Sequence, residues 1–134
     1  MEEIQVNSQS RNEMIDITDR LRAIVRQRGI REGAAFLQSL HTTAGLTINE
    51  NADPDVQRDL EAFFARLVPD GDRLFVHTAE GPDDMPAHVR AVLTATSLNV
   101  PVQNGQPMLG TWQGVYLYEH RHRPHRRRIT MTFV

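Results

Sequence analysis

Five apolar side chains, Val56, Leu60, Phe63, Phe64 and Leu67, recur at i, i+4, i+7, i+8 and i+11 in the middle of the chain. That spacing places them on one stripe of a helix, and such a stripe must be buried against another element. The helix has a defined start. Asp53 suits the N-cap, Pro54 the first helical position, and Asp55 the positive end of the helix dipole. Pro69 and Gly71 close it. What it packs on is written at the two ends of the chain, where the apolar period changes to two. Ile4 and Val6 alternate with polar neighbours in a strand within Glu3 to Ser10, and Ile129, Met131 and Phe133 alternate with Thr130 and Thr132 in a last strand.

Between these landmarks the pattern stays mixed. Asp16 or Thr18 caps a short helix carrying Leu21, Ile24, Val25 and Arg28, and Gly29 ends it. Ala34 to Ile48 reads as strand, with Phe36, Gln38, Leu40 and Thr42 on one face and Leu37, Ser39 and His41 on the other. Gly45 marks a bulge or a close backbone approach. Leu74 to Thr78 is expected as a short strand. The loop Glu80-Gly81-Pro82-Asp83-Asp84 then leads into a helix that buries Val89, Val92 and Leu93. Strands follow at Leu98 to Gln103, Pro107 to Leu109 and Trp112 to His120. After a turn around Pro124, the last strand is expected to pair antiparallel with Val115 to Glu119. No repeat or linker interrupts residues 1–134, which points to one domain. The absence of a regular βαβ rhythm favours α+β over a doubly wound sheet.

Composition narrows the function. A chain of 134 residues that is 40% hydrophobic and 24% charged can bury a core, which argues against wholesale disorder. With no Cys, disulfides and thiolate metal sites are excluded, so a metal would be held by His, Asp, Glu or backbone oxygen. Met1-Glu2-Glu3 opens without a basic region or an apolar stretch behind it, and no apolar run approaches the ~20 residues that cross a bilayer. A cytoplasmic protein without a membrane partner is the expectation. The net charge is −2, with acids concentrated from Glu50 to Asp84 and bases from Arg121 to Arg128. That basic block would attract an anion, but no aromatic residues interleave with it, so nucleic acid is not expected as a partner.

Three polar groups stand out: His41-Thr42-Thr43 running on to Glu50 and Asp53; His77 with Glu80, Asp83, Asp84 and His88; and Glu119-His120-Arg121. His41, His77 and His88 sit at strand ends or in the first turns of a helix, beside carboxylates. Neutral imidazoles with one or two carboxylates make an open metal site. Each histidine alone is also explained by a structural hydrogen bond, and the spacing matches no established metal motif. Asp53 is accounted for by capping, and Asp83 or Asp84 would cap the next helix. Glu50 and Glu119 lie in or beside apolar strands, where a carboxylate needs a partner; either would serve as base or ligand. Trp112 reads as a core or interface aromatic. No Ser-His-Asp order, P-loop or dinucleotide fingerprint is present.

The motifs together resemble the YjbQ-like family. The resemblance rests on His41-Thr42-Thr43-Ala44 with Ile48-Asn49-Glu50-Asn51 and Asp53-Pro54-Asp55-Val56. It rests also on His77 with Glu80 through His88, and on Leu109-Gly110-Thr111-Trp112-Gln113-Gly114 with Tyr116-Leu117-Tyr118-Glu119-His120-Arg121. The run from Arg121 to Arg128 is richer in His and Arg than the family pattern. The resemblance implies an α+β fold with a mostly antiparallel β-sandwich and two or three helices, assembled as a homotrimer. It also implies a divalent metal (zinc or magnesium) near the histidines, and a weak or secondary thiamine-phosphate synthase activity on small phosphorylated molecules. In that reading the metal and Arg121 would neutralise a departing pyrophosphate. A small metal-dependent hydrolase, or a metal-binding trimer without turnover, would use the same residues. Val115, Leu117, Ile129, Met131 and Phe133 add a hint of association, since one short hairpin would leave them in water. In the rival arrangement both faces are covered within one monomer.

Overall fold

The computed structural model describes residues 1–10 and 13–134. Its elements are β1 (Glu2–Ser8), β2 (Met14–Asp16), α1 (Thr18–Gln27), β3 (Glu32–Ser39), β4 (Ala44–Glu50), α2 (Pro54–Leu67), α3 (Asp84–Leu93), β5 (Ser97–Gln103), β6 (Gln106–Pro107), β7 (Gln113–Glu119) and β8 (His125–Phe133). They form a five-stranded sheet in the order β1-β8-β3-β5-β6 and a three-stranded sheet in the order β2-β7-β4. The pairings are antiparallel throughout. This is an α+β fold, and its core is filled from both sheets: Ile4, Leu37, Ile129 and Met131 from the larger, Leu46, Val115 and Leu117 from the smaller, with Leu21 and Val25 of α1.

Local chemistry explains several boundaries. The Asp16 carboxylate accepts from the Thr18 amide as α1 begins, and the Thr18 hydroxyl accepts from the Val115 amide, tying the helix to β7. Gly29, at φ +64°, follows the last turn of α1 in the left-handed region that glycine tolerates. Gly45 is a close approach: a Cβ there would lie 2.6 Å from the Ala95 carbonyl oxygen. Asp53 caps α2 by accepting from the Asp55 amide, with Pro54 in the first turn.

Four expectations are corrected. First, β7 and β8 do not pair. β8 lies between β1 and β3 and β7 between β2 and β4, so the chain changes sheets between Glu119 and His125. Val115, Leu117, Ile129 and Met131 therefore face one another across the core and are fully buried within the monomer. They form no association surface. Second, only part of the α2 stripe is covered. Leu60 and Phe64 pack on Met14, Tyr116 and Tyr118, whereas Phe63 and Leu67 are 58% and 54% exposed. The three-stranded sheet presents only that narrow apolar row, and the rest of the stripe overhangs it.

Third, Leu74 to Thr78 forms no strand. The Asp72 carbonyl and carboxylate accept from the Phe75 and Leu74 amides, folding the segment into a turn that leaves Leu74 and Val76 exposed. Fourth, α3 buries Asp84, Pro86, Ala87, Arg90 and Ala91 rather than Val92 and Leu93, which are exposed. The small alanines allow close packing, and the Arg90 guanidinium stacks over Phe64 at 5.5 Å, so polar anchors set the rotation of this helix. Because Met131 is core and Thr132 is exposed, Met131→Asp should lower stability by more than about 3 kcal/mol, while Thr132→Asp stays within about 0.5 kcal/mol. Urea denaturation checks this, and comparable losses for both would place Met131 outside the core.

Candidate metal centre

The loop from Val68 to Asp83 closes on itself, with the Gly71 amide donating to the Pro82 carbonyl, and it brings His77 over the start of α3. Asp84 and His88 are four residues apart on that helix and so share a face. His77 Nε2 lies 2.7 Å and His88 Nε2 3.2 Å from Asp84 Oδ2, and the two rings meet edge to face with centroids 5.3 Å apart. One ligand atom from each of the three residues falls within 4.8 Å of the others. Asp84 is almost entirely buried, whereas the His77 and His88 side chains are partly open to solvent.

Arg121 holds the carboxylates in place. Its Nη1 donates to Asp84 Oδ1 at 2.8 Å, its Nε to Asp83 Oδ2 at 2.9 Å, and its Nη2 to the Glu80 carbonyl at 3.1 Å. Asp83 also accepts from the His122 amide. Asp83 therefore caps α3 with no side-chain bond; its carboxylate turns to Arg121 instead. Burial alone would raise the Asp83 pKa, but the Arg121 hydrogen bond, the His122 amide and the Arg121 charge outweigh it and hold the pKa at about 2.

The structure sorts the expected site residues. His77 and His88 converge, and Asp84 takes the third position. The sequence signal for Asp84 was its i, i+4 spacing to His88, which its reading as a cap obscured. His41 is not part of this triad, but it shares with His88 a cavity of about 420 Å³ that also touches Thr42, Thr94 and Thr96. A second cavity, of about 370 Å³, lies on the His77 side among Arg73, Phe75, Pro82 and Met85. Arg121 is present but engaged, with a side chain only 13% exposed, so it is a positioning residue.

Glu119 is fully buried. It accepts from Ser8, from Arg127 through Nε and Nη2, and from the His120 and Arg121 amides, which leaves no oxygen to act as a base in the pocket. Glu50 accepts from the Asp53 amide at the far end of β4, about 20 Å of strand from Ala44 at ~3.3 Å per residue. It is not brought to the triad.

The match to known proteins covers the same ground. The family model described as "UPF0047 protein YjbQ-like" matches residues 2–134. The chain belongs to the YjbQ-like UPF0047 family. A UPF0047 relative from Synechocystis is 47% identical over 128 residues, covering 96% of this chain and 87% of that protein. YugU of Bacillus subtilis, another UPF0047 protein, is 44% identical over 116 residues, covering 87% of this chain and 86% of its own length. Among solved structures, an uncharacterized YjbQ/UPF0047 protein from Clostridium acetobutylicum superposes with a TM-score of 0.89 at 35% identity over the whole of both chains. A Sulfolobus solfataricus protein of unknown function gives 0.86 at 28% identity over 98% of this chain and 94% of that one. The family is thus established, and its activity is not. Among the described residues, no helix is long and apolar enough to cross a membrane.

The lowered Asp83 and Glu119 pKa values predict an acid limit to stability. A carboxyl whose pKa is depressed by folding adds stability above its unfolded pKa and loses it as pH falls through the folded value. The Asp83 share, about 2 kcal/mol from a fall of 3.8 to about 2, should vanish between roughly pH 4 and pH 2. Urea midpoints measured from pH 6 to pH 2 should show this slope, and Asp83→Asn should flatten it. A slope unchanged in that variant would assign the acid sensitivity elsewhere.

Proposed function

We propose that this chain is a metal-dependent enzyme acting on small phosphorylated molecules, with the ion held by His77, Asp84 and His88. The observation that carries the reading is the convergence of two imidazole Nε2 atoms and one carboxylate on a common point. Two nitrogens and one oxygen suit zinc better than magnesium, which prefers an all-oxygen shell. Three protein ligands leave a position for water or substrate, as catalytic rather than structural zinc sites do. Arg121, bonded to the other oxygen of Asp84, is the kind of outer partner that orients a ligand. When bound, the ion would supply Lewis acidity toward a phosphoryl or pyrophosphoryl oxygen.

Thiamine-phosphate-synthase-like coupling is the version that the family resemblance suggests. Its support in the fold is that two cavities flank the triad, one on each histidine side, as a reaction between two substrates requires. Arg121 directs most of its donors to Asp83, Asp84 and the Glu80 carbonyl, so the charge of the leaving group would fall mainly to the ion. Hydrolysis of a phosphate ester is the second reading, favoured by the open ligand positions beside a solvent-exposed His77.

Zinc titration by calorimetry should give one site per chain. His88→Ala should abolish it, and Arg121→Met should weaken it by about 10- to 100-fold. Affinity should fall as pH is lowered through the histidine range, because ligation needs neutral imidazole. Formation of thiamine phosphate from its pyrimidine pyrophosphate and thiazole phosphate precursors, with and without zinc, separates coupling from hydrolysis. Absence of zinc binding, or binding untouched by His88→Ala, sinks the reading.

A homotrimer forms part of the same proposal, on a surface other than the buried β7 and β8 residues. Val76 and Leu74, 96% and 81% exposed beside His77, and Phe63 and Leu67 exposed on α2, supply apolar area for association. Sedimentation at low micromolar concentration should return the mass of three chains, and Val76→Asp should reduce it without unfolding the protein. A monomer mass for the unaltered chain counts against the assembly.

A further inference from the structure

We infer that His41 is not a metal ligand but a fixed, neutral hydrogen-bond donor to an oxygen of an anionic phosphate group bound in the cavity it shares with His88. This rests on the metal reading above for the position of the phosphate's other oxygens. The first support is a bond whose direction is not open to choice. The Arg128 backbone N–H lies 2.7 Å from His41 Nε2, and an amide N–H can only donate. Nε2 must therefore present its lone pair. In a neutral ring the hydrogen then sits on Nδ1, so His41 offers a donor there and has no free lone pair with which to bind a metal.

The second support is what surrounds the ring. His41 is half-buried, and among the described residues no group accepts from Nδ1. The cavity it lines holds about 420 Å³, within the range of small-molecule sites, and His88 of the triad forms part of its wall. Thr42 and Thr96 also line that wall, while the Thr94 hydroxyl is spent on the Arg90 carbonyl.

The third support is electrostatic. Burial, then the charge of Arg127, and further the charges of Arg128 and His125, disfavour the imidazolium form of His41, against the opposing Glu119 carboxylate. Of these causes burial opposes any charge, but the cationic side chains of Arg127 and Arg128 that discourage a proton on the ring also favour an anion beside it. A ring held neutral keeps its donor without adding a charge that would compete with the ion.

The experiment uses the full chain, zinc and inorganic phosphate. Zinc affinity is measured for the wild type, His41→Ala and His88→Ala; phosphate affinity is then measured for each with and without zinc. The expected result is zinc affinity within about twofold of wild type in His41→Ala, with phosphate bound about 10-fold more weakly, the worth of one charge-assisted hydrogen bond. His41→Asn, whose amide N–H₂ can take the place of the Nδ1 donor, should recover most of the loss, which a merely structural role would not allow. Thermal melting of each variant confirms that it is folded.

If His41→Ala loses zinc as His88→Ala does, His41 is a ligand and the inference is overturned. Zinc binding with phosphate affinity indifferent to His41 overturns it too, while leaving the metal reading intact. Phosphate binding that needs His41 but is unaffected by zinc sustains the donor and sinks the metal.

Discussion

A carboxylate sealed from water must find its counter-charge and its hydrogen bonds inside the protein, and Glu119 finds them at the junction of the two sheets. Arg127 on β8 meets it through Nε and Nη2, Ser8 at the end of β1 donates to it, and Arg127 reaches on to the carbonyl and hydroxyl of Thr43 just before β4. One ion pair thus joins the last residue of β7 in the smaller sheet to two strands of the larger. Two buried charges gain little over apolar packing, but removing one leaves the other uncompensated. The pair therefore acts mainly by specifying geometry: only one placement of the end of β7 over β8 and β1 satisfies all of these partners.

That geometry is passed outward. The same Glu119 carboxylate accepts the amides of His120 and Arg121, which fixes where the chain leaves β7. Arg121 is then aimed at Asp83 and Asp84, and Asp84 at the two histidines. Each link is a charged hydrogen bond of limited angular freedom, so the position of the triad is tied to the core through side chains rather than through a long loop. On the other side of the same network, the amide of Arg128 sets the orientation of His41. The two histidine environments that share a cavity are both anchored to the Glu119–Arg127 junction. They differ in what each ring is left able to do.

What the sequence showed plainly were the elements with a local cause. The alternation of Ile129, Met131 and Phe133, the Asp53-Pro54 start of α2 and the terminal role of Gly29 all depend on neighbours within a few residues. What it hid depends on contacts across the fold. Nothing near Val115 or Ile129 tells that their strands belong to different sheets, because the apolar alternation of an inward face is the same in a hairpin as in a sandwich. The rotation of α3 was misread because Val89, Val92 and Leu93 are its most apolar residues, whereas Asp84 and Arg90 are held by partners far away in sequence. Of the grouped His41, His77 and His88, only the last two meet, at Asp84, while His41 shares just a cavity wall with His88. The division we propose, two ligands and one donor, turns on the Arg128 amide, which no side-chain pattern encodes. Glu50 and Glu119 were singled out because a carboxylate in an apolar run needs a partner. Both have partners, and in both cases the partners are structural.

The basic stretch beginning at Arg121 shows why charge density alone is a weak guide to a ligand. Its first two residues are spent on the acidic loop opposite: Arg121 on Asp83, Asp84 and the Glu80 carbonyl, and His122 on Asp70 through its ring and Asp83 through its amide. The loop between α2 and α3 has no strand to pair with and exposes Leu74 and Val76, so these bonds and the closure from Gly71 to Pro82 define its path. His77 rides on that loop while Asp84 and His88 ride on a helix. A group bound by all three would therefore draw part of its affinity from the stapling that already holds the loop shut. The separation of acids and bases along the sequence is thus the device that brings His77, Asp84 and His88 together, and the anion site we propose lies not on the basic stretch but in the cavity beside His41.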